Sequence, residues 1–183
     1  NGAEEEGGMR PIALLPYVYR LWMCVRKRDV EAWTRGLHGG KCKAAEVLAW
    51  ELAARGEAAR LSGKFFAAAF LDCSKCYERV DQEGAHRRAV ATGCNPVIAN
   101  LAMNMYSRDR IAQVHGSHSK EVKVSRGMLA GCGFAVHFLK AIIIGILEAS
   151  PVETRDYVDD MVLHSCSGSK NQLVVNLQAA IEA

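Results

Sequence analysis

Two adjacent acids, Asp159 and Asp160, are the sharpest chemical feature of this chain. Side by side at a bend they repel each other and gain nothing from packing, and taken alone such a pair is ordinarily a solvated turn. The flanks argue otherwise. Tyr157-Val158 precede the acids and Met161-Val162-Leu163 follow, so the turn is tied to apolar strands. A third carboxylate, Asp72, ends the apolar run Phe65 to Leu71, which reads as a strand buried on both faces. A carboxylate there costs several kcal/mol of desolvation, on the order of a buried unpaired charge, unless a cation or donors meet it. Three carboxylates offer oxygen ligands only, a set suited to magnesium and not to zinc. Two magnesium ions ~3.5–4 Å apart in such a site can activate a hydroxyl and stabilise a leaving oxygen.

The elements that would position these acids can be read from periodicity and breakers. Residues 1–9 are acidic and glycine-rich and read as loose. Tyr17, Leu21, Trp22 and Val25 have helical spacing, predicting a helix towards Trp33 with that stripe inward. Gly36 to Gly40 break it, and a second helix is expected from about Lys43 to Leu61, stopped by Gly63. Asn95-Pro96 is a cap and first-turn proline for a helix through Tyr106. Ile111–His115 and Glu121–Val124 alternate like strands across a Gly116-Ser117-His118 turn. Phe134 to Leu147 is strongly apolar but shorter than the ~20 residues of a membrane span, so it reads as a buried helix. A hairpin over Arg155–His164 would carry the paired acids, and Ser169 with Gln172 suggests a capping box for a last helix with Leu173, Leu177 and Ile181. Helices, strand, helices, hairpin, helix, hairpin, helix make an α+β arrangement.

Composition sets the bounds. With 183 residues, 50% of them hydrophobic and 23% charged, the chain can build a core and is one domain or a piece of a larger protein. The opening on Asn1 and the stop within an apparent helix at Ala183 read as cuts. The net charge of +3 is mild for a protein that grips a duplex, and the runs Arg26-Lys27-Arg28 and His86-Arg87-Arg88 read as solvated helix faces. Seven cysteines, an odd number at irregular spacing without a signal peptide, point to a reducing, intracellular compartment and not to a disulfide framework. Cys73-x-x-Cys76 has no second pair to complete a zinc site. His115 and His118 read as exposed loop residues, and Gly39-Gly40-Lys41 lacks Walker spacing.

Three segments in order resemble a known family. Tyr157-Val158-Asp159-Asp160 resembles the YxDD box of reverse transcriptases. Leu71-Asp72-Cys73-Ser74-Lys75-Cys76-Tyr77-Glu78-Arg79-Val80 resembles the first palm motif, D-x-S-K-A-F/Y-D-x-V in its retrotransposon form. Arg10-Pro11-Ile12-Ala13-Leu14-Leu15-Pro16 is similar to the RPI-x-LLP fingers segment of non-LTR (LINE-like) elements. The resemblance runs from about residue 9 to 182. It implies a right-hand polymerase palm, a small antiparallel sheet backed by helices, with partial fingers (about 1–63 fingers-side, 64–183 palm) and no thumb.

By the same resemblance, the reaction would be RNA-directed addition of dNTPs to a DNA 3′ end, with two Mg2+ ions, an RNA template and a DNA primer as partners, and no membrane. Asp72 and Asp159 would hold both metals, Asp160 would support them, and the Cys73 carbonyl would add a ligand. Tyr77 would be the aromatic gate that disfavours a 2′-hydroxyl; otherwise it is a core aromatic. Arg10 would lie over the incoming nucleotide, and Gly131 would let backbone approach it. The chain departs from the pattern at Ala130-Gly131-Cys132-Gly133, where most relatives carry Gln-Gly-x-Pro. Without a thumb the piece would not polymerise by itself. The rival functions are a non-catalytic RNA-binding remnant and an RNA-templated RNA polymerase. A nuclear site of action would follow if the parent copies into chromosomal DNA.

Overall fold

The structure is a computed structural model and describes residues 12–35, 37, 45–129, 131–157 and 160–182. In chain order these form α1 (Tyr17–Arg35), α2 (Ala45–Leu61), β1 (Phe65–Asp72), α3 (Cys76–Arg79), α4 (Gln82–Ala91), α5 (Pro96–Tyr106), β2 (Gln113–Val114), β3 (Ser117–His118), α6 (Ala135–Ala149), β4 (Glu153–Tyr157), β5 (Asp160–Ser167) and α7 (Lys170–Glu182). The main sheet is antiparallel in the order β1-β5-β4, and β2-β3 form a separate ribbon.

Helix α6 organises the core. Seven of its side chains, from Ala135 to Leu147, are buried, which accounts for the unbroken apolar character of its sequence. Aromatic contacts spread from it. Phe134 meets Trp22 of α1 edge-on at 5.5 Å, while Phe138 meets Trp33 at 5.7 Å and Tyr106 of α5 at 6.2 Å. Full burial of a ring such as Phe138 stabilises by about 1.5–3 kcal/mol. Asn95 accepts a hydrogen bond from the Val97 amide and Pro96 occupies the first turn, so α5 begins where its sequence directs. Asp81 caps α4 in the same way through the Gly84 amide.

Four local expectations are corrected. In α1 the stripe Tyr17, Leu21 and Val25 faces solvent, and the buried side is Tyr19, Val30 and Thr34 with Trp22 and Trp33 beside them. The polar members of that side have partners inside: Thr34 Oγ1 bonds the Val30 carbonyl at 3.1 Å and His137 Nδ1 at 2.8 Å. Strand β1 is not buried on both faces; it is an outer strand, and Phe70 is 73% exposed. The β2–β3 ribbon turns at His115-Gly116, both at positive φ, because a two-residue loop of that hand matches strand twist. The capping box is not formed: Gln172 bonds Asn176 instead, and Ser169 contributes its backbone carbonyl to the Leu173 amide.

The basic runs divide. Arg26 and Lys27 pair with Asp29 and Glu31 on an exposed face, as expected. Arg88 instead crosses from α4 to α6, where its guanidinium donates to the Ala141 carbonyl and lies 3.6 Å from Glu148. A Cβ on Gly145 would sit 2.5 Å from that guanidinium, so the glycine inside α6 is the space Arg88 occupies.

Candidate functional site

Strands β1 and β5 bring two of the acids together. Their register pairs Asp72 directly with Asp160, and both residues are exposed. Residues opposite each other in an antiparallel pair project to one face. That face, here called the acidic face, carries Phe66, Ala68, Phe70 and Asp72 from β1, and Asp160, Val162, His164 and Cys166 from β5. The other face carries Met161 and Leu163 into the core, and Leu71 packs there too. Met161 and Leu163 thus anchor β5 from one face, while Asp160 at its start is exposed on the other. Asp160 is also paired across β4–β5 with Tyr157. Val158 and Asp159 lie outside the described residues, as does Arg10.

Beyond Asp72 the chain turns sharply. Lys75 is in the left-handed region (φ 52), a conformation an L side chain adopts at a cost, and it leads into α3. Cys73, Cys76 and Tyr77 are all half-buried against the core. Tyr77 thus rests against the core while part of it stays exposed, on a helix that begins four residues past Asp72.

The loop before α6 is fastened to this turn. The Met128 amide donates to the Tyr77 carbonyl and the Gly127 amide to the Val80 carbonyl, each at 2.7 Å. Gly127 has φ +87, and a Cβ there would lie 2.7 Å from the Glu78 carbonyl oxygen, so only glycine permits the approach. Gln82 completes the joint: its side-chain amide donates to the Gly127 carbonyl at 2.8 Å and to the Tyr106 carbonyl at 3.1 Å. Gly131, the residue expected to matter, also has positive φ (+91) and is exposed. Sequence reasoning missed Gln82 and Gly127; a glycine three residues before Ala130-Gly131-Cys132-Gly133 was the one available signal.

Cys132 locks the same loop to two helices. Its thiol accepts from Tyr106 Oη at 3.0 Å, lies 3.6 Å from Tyr19 Oη, and approaches Met23 Sδ at 3.4 Å. Burial, with the Cys132 thiol beside it, pushes both phenols well above the usual tyrosine range. They are neutral hydrogen-bonding struts and not acids. The residue that replaces a variable position of the family pattern is therefore a core joint.

Helix α2 covers the far half of the acidic face. Phe66 packs under Gly56, Arg55 is ion-paired and hydrogen-bonded with Glu153 of β4, and Arg155 lies 3.8 Å from Glu51. His164 sits in this layer at 2% exposure, its ring 5.9 Å from Phe66. Burial holds its pKa below the usual imidazole range, with Arg55 and Arg155 adding to the effect and Glu153 opposing it.

Six described cysteines form no disulfide, His115 and His118 are exposed, and Gly39-Gly40-Lys41 lies outside the described residues. Among the described residues no three His, Cys, Asp or Glu side chains cluster for a metal. No helix among the described residues is long and apolar enough to cross a membrane.

No protein-family model and no curated protein matches the chain. Solved structures do. Apo telomerase from Candida tropicalis, truncated from its C-terminal domain, superposes with a TM-score of 0.60 over 92% of this chain and 37% of that one, at 12% identity. Telomerase from Candida tropicalis in complex with the TWJ fragment of telomeric RNA gives 0.58 over 91% of this chain and 32% of that one, at 11% identity. The chain spans about a third of the length of these neighbours. It shares with these telomerase structures a fold in which helices surround a small antiparallel sheet.

Proposed function

We propose that this chain is the fingers-and-palm part of an RNA-directed DNA polymerase, related in its motifs to non-LTR retrotransposon enzymes. The observation that carries the reading is the pairing of Asp72 with Asp160 at the open end of one sheet face, within a reverse-transcriptase-like fold. A telomerase neighbour is bound to RNA, and an RNA template and DNA primer are the partners proposed for this chain. The donor set fits magnesium: carboxylates of Asp72 and Asp160 on one face, Asp159 next in sequence, and the Cys73 carbonyl, all oxygen. Two Mg2+ ions held there would supply Lewis-acid activation of the primer 3′-hydroxyl and charge stabilisation of the leaving pyrophosphate.

The chain's own residues do the rest. Asp72 and Asp160, on strands hydrogen-bonded to each other, fix the spacing of the ligands. Tyr77 serves as the gate against a 2′-hydroxyl while its helix is held by the Gly127–Gln82 joint. Arg10 and Gly131 contact the incoming dNTP. Primer extension on an RNA template, by the protein that contains this chain, tests the reading: Asp159→Asn abolishes extension, and retained extension would sink the metal assignment. A second reading, RNA binding without chemistry, is favoured by Ala130 standing where relatives carry glutamine. It predicts template binding with no extension by the unaltered protein. An RNA-templated RNA polymerase would extend with NTPs in place of dNTPs.

A further inference from the structure

Between α2 and the acidic face lies a cavity of about 180 Å3, lined among others by Leu48, Leu52, Phe70, Val162, Arg155 and His164. Its chemistry selects a ligand. The two arginines on its lining are already spent: Arg55 is paired with Glu153, and Arg155 lies beside Glu51. Asp156 and Asp160 line it as well, so a phosphate or other anion has no uncompensated cation to meet. Away from Asp160 the walls are mostly apolar and suit a flat ring, and Phe70, 73% exposed, offers one π-face. One polar demand remains. His164, buried among these walls, has an Nε2 with no hydrogen-bond partner; its nearest carboxylate oxygen, on Glu153, is 4.0 Å away. Size sets the last limit, since an apolar cavity of roughly 150 Å3 holds benzene. This one has room inside it for a single heteroaromatic ring system.

We propose that the cavity binds an uncharged nucleobase, with its face on Phe70 and a polar edge atom hydrogen-bonded to His164 Nε2. The inference deepens the polymerase reading, since it sets a base-sized site on the face that carries Asp72 and Asp160. The base can arrive as a free nucleoside or as part of a strand, and the test has an arm for each.

The 183-residue chain, labelled with 15N at histidine, is titrated with each of the four ribonucleosides and, separately, with an unstructured RNA pentamer. The His164 Nε2 resonance, assigned by its loss in His164→Gln, is expected to move saturably with at least one nucleoside. A response to the pentamer alone would assign the site to strand-borne bases and equally bear the proposal out. Phe70→Ala, at an exposed position where circular dichroism should remain native, is expected to weaken binding about tenfold. An Nε2 resonance unmoved by all five ligands means that the cavity holds water only and overturns the proposal. So does movement that ribose 5-phosphate alone reproduces, or that persists unweakened in Phe70→Ala. Polymerisation plays no part in the measurement. Base binding by a protein that cannot extend a primer would leave this site standing and remove the proposed activity, and the converse result would do the opposite.

Discussion

Asp160→Asn should make the chain more stable while weakening its response to magnesium. Asp72 and Asp160 face each other across β1 and β5, and the Cβ atoms of such a pair lie roughly 4.5–5.5 Å apart. Both are exposed, so the repulsion is set mainly by water: two unit charges about 5 Å apart at a dielectric constant near 80 repel by about 0.8 kcal/mol. Screening at physiological salt trims this further. Neutralising one member is therefore worth about 0.5 kcal/mol, or a rise in Tm on the order of 1–2 °C for a chain of this size. Magnesium should favour the native chain over the variant. If the native chain alone binds the ion, a tenfold excess over Kd stabilises it by about 1.4 kcal/mol, and the variant loses that gain. Thermal melts in EDTA and in Mg2+, each at low salt and at 1 M NaCl, read all of this. In EDTA the variant should melt higher, by a margin that shrinks at 1 M NaCl; in Mg2+ the order should reverse. A variant that melts lower in EDTA, or that keeps the full Mg2+ shift, would refute the reasoning about the acid pair.

Gly127→Ala places a Cβ against the Glu78 carbonyl at positive φ and should cost at least about 2 kcal/mol in urea unfolding; a change within about 0.5 kcal/mol would mean that the loop can shift at little cost. Stability should also fall on acidification. Burial depresses the pKa of both His137 and His164 in the folded chain, so the unfolded chain binds protons first. Their contribution is complete above an unfolded imidazole pKa of about 6.5 and is lost as pH falls from there through the depressed folded values. Urea midpoints between pH 7.5 and 5 should show that slope, and His164→Gln should flatten it; a flat profile in the unaltered chain would contradict the burial of these rings.

Much of this was legible in the sequence, and the reasons divide cleanly. Helices α5 and α6 were placed nearly to the residue because Asn95-Pro96 is a physical start signal and because an apolar run too long for a strand must be a buried helix. The acids were placed by motif and by the apolar strands around them, and β1 ends on Asp72 as expected. What failed was the direction in which side chains face. The stripe of α1 looked inward because its residues are apolar, yet the buried side holds Tyr19 and Thr34, whose polar atoms find partners 113 and 103 residues away in sequence, respectively. No local pattern encodes such partners. Phe65 to Leu71 read as doubly buried because periodicity records composition and not how closely a covering helix packs; α2 packs on Phe66 but leaves a cavity beside Phe70. Arg88 looked like one more solvated cation, and only the gap at Gly145 shows that α6 was built around it.

The outer position of β1 has a consequence for anyone who handles this chain. Among the described residues only one edge of the strand is hydrogen-bonded, to β5, which leaves the other edge's backbone groups open along a run of Phe, Ala and Leu without charge or proline until Asp72. Such a segment is a template for intermolecular pairing and for cross-β growth. Lys64 before it and Asp72 after it are its charged gatekeepers. The carboxylate that would hold a metal thus has a second duty in the free chain, keeping one copy of the sheet from growing onto the next.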